Sequence, residues 1–139
     1  MRLSELDRSN YFRAMLLLSG KDRKISKSEQ NFIYALGEKL GFEKSFTNSA
    51  VNSFFSNKYI PNDPPRFSNR EIAKSFIRDG IKLIIDDPKI NQEEVDWITN
   101  VAKVNGINEN WIFDLIEETK HSQNYEASPI TLEVESFLE

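Results

Sequence analysis

Asp22-Arg23-Lys24-Ile25-Ser26-Lys27-Ser28-Glu29 returns 65 residues later as Asp87-Pro88-Lys89-Ile90-Asn91-Gln92-Glu93-Glu94, and that return sets the architecture. On either side of this stretch the register holds without a gap. Arg13 and Leu18 fall on Arg78 and Leu83, and Ile33 and Gly41 fall on Ile98 and Gly106. Between them the apolar character is kept: Phe32 on Trp97, Leu36 on Val101, Phe42 on Ile107, Phe46 on Trp111. An internal repeat of this length means two copies of one supersecondary unit, neither able to bury its apolar face alone.

Apolar residues recur at helical spacing through both copies, and strand-like alternation is confined to the last dozen residues. The spacing predicts an all-α fold: one helical bundle of six to seven helices, built from two tandem repeats at about 4–58 and 69–121. In the first repeat a helix from about Ser4 to Leu18 turns Leu6, Phe12, Met15 and Leu16 inward. A second, about 27–40, buries Phe32, Ile33, Leu36 and Leu40, and a third, about 46–57, uses Phe46, Ala50, Val51, Phe54 and Phe55. Ile60-Pro61-Asn62-Asp63-Pro64-Pro65 breaks the chain and crosses to the second repeat. There Ser68-Asn69-Arg70-Glu71 reads as a capping box. It opens a helix of about 69–85 with Ile72, Phe76, Ile77, Ile81 and Ile84 inward. Helices at about 92–105 (Val95, Ile98, Val101, Ala102) and 110–121 (Trp111, Ile112, Leu115, Ile116) complete the bundle. Trp97 and Trp111 sit at core spacing. The tail, 122–139, fits a short packed helix, an extended strap, or a segment that orders on a partner.

Most of the repeated loop is explained by helix ends. Ser26 and Asn91 are good N-caps, and Glu29 and Glu94 follow three residues later, where a glutamate can reach back to the cap. Gly41 and Gly106, each followed by an apolar residue, suit the left-handed stop of the same helix. Only the aspartates are left over. They raise a second reading, a divalent-cation loop of the calcium or magnesium type. The EF-hand pattern fails in both copies, since Leu18, Gly20, Leu83 and Ile85 occupy positions that need oxygen ligands. Charge then separates the loops. Residues 20–29 carry Lys21, Arg23, Lys24 and Lys27 against Asp22 and Glu29, whereas 85–94 carry Lys89 against Asp86, Asp87, Glu93 and Glu94. On that second reading a cation would be expected at Asp86, Asp87, Glu93 and Glu94, and a partner protein seeking a basic loop at Lys21, Arg23, Lys24 and Lys27. The acidic tail docked on that basic loop, in its own or a neighbouring chain, is a third reading, and it leaves homo-oligomerisation open.

Composition narrows the function classes. The 139 residues contain no cysteine, so neither a disulfide nor a thiolate site is expected. Four of the 22 acidic residues lie in the tail (Glu126, Glu133, Glu135, Glu139), which leaves residues 1–121 neutral against 18 lysines and arginines. A neutral body with an acidic tail argues against nucleic-acid binding, which calls for a basic stripe. The longest apolar run, Ala14 to Leu18, is too short for membrane insertion, so a cytoplasmic location is expected. No phosphate loop, two-histidine metal motif or nucleophile elbow is present, and the one histidine, His121, falls at a helix end where it complements the dipole. No enzymatic activity is expected.

The doubled order of helix, Asp-x-x-Ile-cap-x-x-Glu loop, apolar helix, glycine and helix resembles the tellurite-resistance TerB-like family over roughly residues 5–121. The resemblance implies a compact helical bundle with internal pseudo-twofold symmetry and no established catalysis. It also implies loop acids associated with divalent cations and protein partners, in a stress-response setting. Those acids fall here on Asp22, Glu29, Asp87 and Glu94. Arg23 and Pro88 stand where the family commonly has glycine, which weighs against a cation, most of all in the first loop.

Overall fold

The computed structural model describes residues 3–20, 27–56, 63–85, 90–122 and 132–137. It is all-helical: α1 (Glu5–Ser19), α2 (Lys27–Lys39), α3 (Lys44–Ser56), α4 (Arg70–Ile85), α5 (Gln92–Val104), α6 (Asn110–Ser122) and a final 3₁₀ turn (Glu133–Phe137). Among the described residues there is no strand, and no helix is long and apolar enough to cross a membrane. The bounds of α2 and α5 differ by 65 residues at both ends.

α4 is the centre of the bundle and packs against α1, α5, α6 and the 3₁₀ turn. Its apolar residues are too many for one stripe, and Ile72, Phe76, Ile77, Ile81 and Ile84 are all buried. A helix apolar on most sides must be surrounded. The core aromatics meet here: Phe76 sits edge-on to Tyr11 at 5.2 Å between ring centroids and to Trp97 at 6.3 Å, with Phe67 at 5.4 Å. Phe32, Ile33, Leu36 and Leu40 of the α2 region, and Val95, Ile98, Val101 and Ala102 of α5, are buried as their spacing predicts.

Three inward assignments are corrected. Leu6 is 70% exposed, and the inward position at the start of α1 belongs to Asp7, which continues down the helix to Tyr11, Met15 and Leu18. Phe46 is 52% exposed. Thr47 is buried in its place against Gly37, where the absence of a side chain lets α3 approach α2. Trp111 is only half-buried, because α6 turns Ile112, Leu115 and Ile116 inward instead. Phe55 of the expected α3 face lies among the side chains outside the description, and residues 57–62 lie outside it altogether.

Helix ends follow the sequence closely. Gly41 (φ 87°) and Gly106 (φ 72°) are left-handed, and each anchors a double closure of its helix. Gly41 N donates to Glu38 O and Phe42 N to Gly37 O; Gly106 N donates to Lys103 O and Ile107 N to Ala102 O. Asn91 caps α5, its side chain accepting from the amides of Glu93 and Glu94. The cap of α4 is Asn69, one residue later than the expected capping box, and it accepts from Ile72 N at 2.9 Å. Ser68 is diverted to Asp7. Because a side chain is strained at positive φ, Gly41→Ala and Gly106→Ala should each lower stability by about 1–2 kcal/mol in urea unfolding, with helical content unchanged.

Candidate functional site

The repeated loops fall largely outside the described residues: Lys21, Asp22, Arg23, Lys24, Asp86 and Asp87 all lie there, as do Ser26 and residues 123–131 of the tail. Lys27 is exposed at the start of α2, and Glu29 stands in its first turn. In the second loop Glu93 is exposed while Glu94 is buried, so the first turn of α5 sends its two neighbouring carboxylates to different environments. Among the described residues no group of three aspartate, glutamate or histidine side chains could hold a metal ion. His121 lies exposed in the last turn of α6, beside Lys120.

The structure instead brings together three polar features that the repeat and its loops do not single out. The first joins the two halves. Asp7, buried near the start of α1, accepts from Ser68 N at 3.0 Å and from the Ser68 hydroxyl, and Ser4 Oγ also donates to it. One carboxylate thus fixes the start of α1 to the entrance of α4.

The second is the seat of the tail. Asp79, fully buried on α4, accepts from the Tyr11 hydroxyl at 2.6 Å and from the backbone amides of Glu133 at 2.6 Å and Val134 at 3.2 Å. Ser75 Oγ lies 2.8 Å from the same tyrosine hydroxyl. Leu132 and Val134 are buried, and the outward acids of the turn meet lysines: Glu133 with Lys82 at 3.3 Å, Glu135 with Lys39 at 2.9 Å. Glu135 also accepts from Leu132 N, which closes the turn on itself. The described part of the tail, residues 132–137, is therefore a short packed helical turn. The described lysines that receive it are Lys39 and Lys82, on α2 and α4.

Electrostatics in this seat follow from burial. Loss of water raises the Asp79 carboxyl to a pKa of about 6, although the Tyr11 hydroxyl, the Glu133 amide, Lys82 and the Val134 amide all favour its charged form. Burial, and next the Asp79 charge, push the Tyr11 phenol well above its ordinary value. At the rim, the hydrogen bond with Glu135 raises the Lys39 ammonium and lowers the Glu135 carboxyl.

The third feature is a cleft of about 330 Å³ between α4 and the α5–α6 turn, lined by Arg70, Lys74, Gly106, Ile107, Asn108 and Trp111. Arg70, Lys74 and Arg78 are spaced one turn apart on α4 and so share a face. The Arg78 guanidinium lies 5.3 Å and the Lys74 ammonium 5.9 Å from the Trp111 ring centre. Glu71 approaches Lys74 at only 3.9 Å. The Arg70 guanidinium packs over Gly106, within about 3.6 Å of where a side chain would begin. The cleft offers two cationic groups, Arg70 and Lys74, and the Trp111 ring, which Arg78 also flanks. Cationic side chains of this kind suit the holding of anionic groups.

No family model, curated protein or solved structure matches this chain.

Proposed function

We propose that the protein is a non-catalytic protein-interaction module of the TerB-like kind, and that it takes an acidic segment of a partner protein in the cleft between α4 and α6. The observation that carries this reading is the alignment of Arg70, Lys74 and Arg78 beside the half-buried Trp111. Arginines on a rigid helix present planar forks to carboxylates, and an aromatic ring flanked by cations adds apolar contact area. Interfaces concentrate their binding energy in such tryptophan and arginine residues.

The difference between the two halves supports the same reading. At the 65-residue offset the positions of Arg70, Lys74, Arg78 and Trp111 hold Glu5, Ser9, Arg13 and Phe46. The first half keeps an aromatic residue and one arginine, and the cationic row belongs to the second half. The chain is otherwise near neutral outside its acidic tail, so the row is a local device.

A glutamate-rich peptide containing one tyrosine should quench Trp111 fluorescence in a saturable, salt-sensitive titration. Trp111→Phe assigns the signal, since Trp97 is buried. The pair Arg70→Glu and Arg78→Glu should weaken binding at least tenfold, with melting temperature nearly unchanged because neither side chain is buried. Equal binding by the charge-reversed variant, or tighter binding of a single-stranded oligonucleotide than of the peptide, contradicts the proposal.

A further inference from the structure

The groove that holds the C-terminal turn is a built site. Its floor is a fully buried carboxylate, Asp79, held by Tyr11 and aimed at two consecutive backbone amides of the occupant. Its walls bury Leu132 and Val134, and its rim presents Lys82 and Lys39 to the acids at alternate positions, Glu133 and Glu135. None of these recognition elements requires the occupant to be joined to the same chain. Two consecutive amides are common to any peptide that begins a helical turn, and an apolar–acidic–apolar–acidic order supplies everything else. An empty groove would take two donors from Asp79 and leave the seat of Leu132 and Val134 open to water, which makes occupancy by some such segment favourable.

We propose that this groove is a peptide-binding site for partner segments of the pattern apolar–acidic–apolar–acidic, and that Leu132–Glu135 is a tethered occupant that competes with them. The seat is separate from the cleft beside Trp111, so the two sites are addressed by different substitutions. An occupant covalently joined to the groove competes at an effective concentration that can reach the order of millimolar. A partner segment gains entry only by binding more favourably than the tail or by reaching a comparable local concentration. The complementary charges also set the sign of the partner: a segment with lysines at the two outward positions would face Lys82 and Lys39 and be rejected.

The test uses the complete chain with its tail disabled by Leu132→Asp and Val134→Asp, and a fluorescent peptide of the sequence of residues 129–139. Anisotropy should report saturable binding to this variant and at least tenfold weaker binding to the unaltered chain, whose own tail occupies the groove. Adding Asp79→Asn to the disabled variant should abolish binding. A second variant, Glu133→Lys with Glu135→Lys, loosens the tail by charge alone and keeps its apolar contacts. It should bind the peptide with intermediate strength and stands in if the first variant fails to fold. Absence of binding to folded variants, or equal binding to altered and unaltered chains, overturns the proposal. So does a wild-type dimer in gel filtration that the tail substitutions abolish, because the occupant would then be the tail of a second copy.

Discussion

Phe76→Ala is expected to lower the unfolding free energy by roughly 3–5 kcal/mol, a large part of the stability of a single domain. The ring is fully buried at the middle of α4, where it touches Tyr11, Phe67 and Trp97, aromatic residues from three separate parts of the chain. Its removal leaves a cavity that rigid rings cannot fill by small adjustments, so the cost should lie at the upper end. With a urea dependence of about 1–3 kcal/mol per molar, the midpoint should fall by about 2 M. Phe76→Leu, which keeps most of the volume, should cost much less. A loss under about 1 kcal/mol for the alanine variant, well below the usual cost of such a cavity, would mean that α4 is not the centre of the bundle.

Asp79 supplies the second large effect. Asp79→Ala removes the acceptor of two tail amides and of the Tyr11 hydroxyl together. The turn should detach, and the burial of Leu132 and Val134 goes with it, at about 1.5–3 kcal/mol for each side chain. Amide exchange at Glu133 and Val134 should then rise to rates typical of open chain.

The same carboxyl sets a pH dependence of definite sign. The folded carboxyl keeps its proton up to about pH 6, whereas the unfolded one releases it near 3.8. Between these values the folded state binds more protons than the unfolded state, so stability falls as pH rises through the window. The distance from 3.8 to about 6 corresponds to an effect on the order of 3 kcal/mol. Asp79→Asn, which cannot ionise, should lack this slope. The stability difference between unaltered chain and variant should therefore decline from about pH 4 to about pH 6 and level off above.

The helices themselves were legible because apolar residues at helical spacing can be satisfied by burial alone. Ile72, Phe76, Ile77, Ile81 and Ile84 needed no knowledge of what would cover them, and the double closures at Gly41 and Gly106 follow from local backbone chemistry. The errors of facing occurred where a polar residue took an inward place. Asp7 and Thr47 displace Leu6 and Phe46 because each has a partner distant in sequence or close across a helix crossing. Asp79 was equally hidden, since its partners in the tail lie 54 and 55 residues away. A signal was present in both aspartates. Asp7 stands on the stripe of Tyr11, Met15 and Leu18, and Asp79 on that of Ile72, Phe76 and Leu83, where a solvated carboxylate would be out of place. The cationic row Arg70, Lys74 and Arg78 was readable as a helical face. Its aromatic partner, Trp111, was not, because core spacing and a half-buried edge look alike in one dimension.

Whether the surface joining α4 to α6 receives a partner is decided by amide chemical-shift mapping of the full chain. Titration with the glutamate-rich, tyrosine-containing peptide should move the signals of Arg70, Lys74, Arg78, Gly106 and the Trp111 indole N–H together, along one saturable curve. Shifts confined to Lys21–Lys27, or none at peptide concentrations in the millimolar range, would contradict a partner site at this surface.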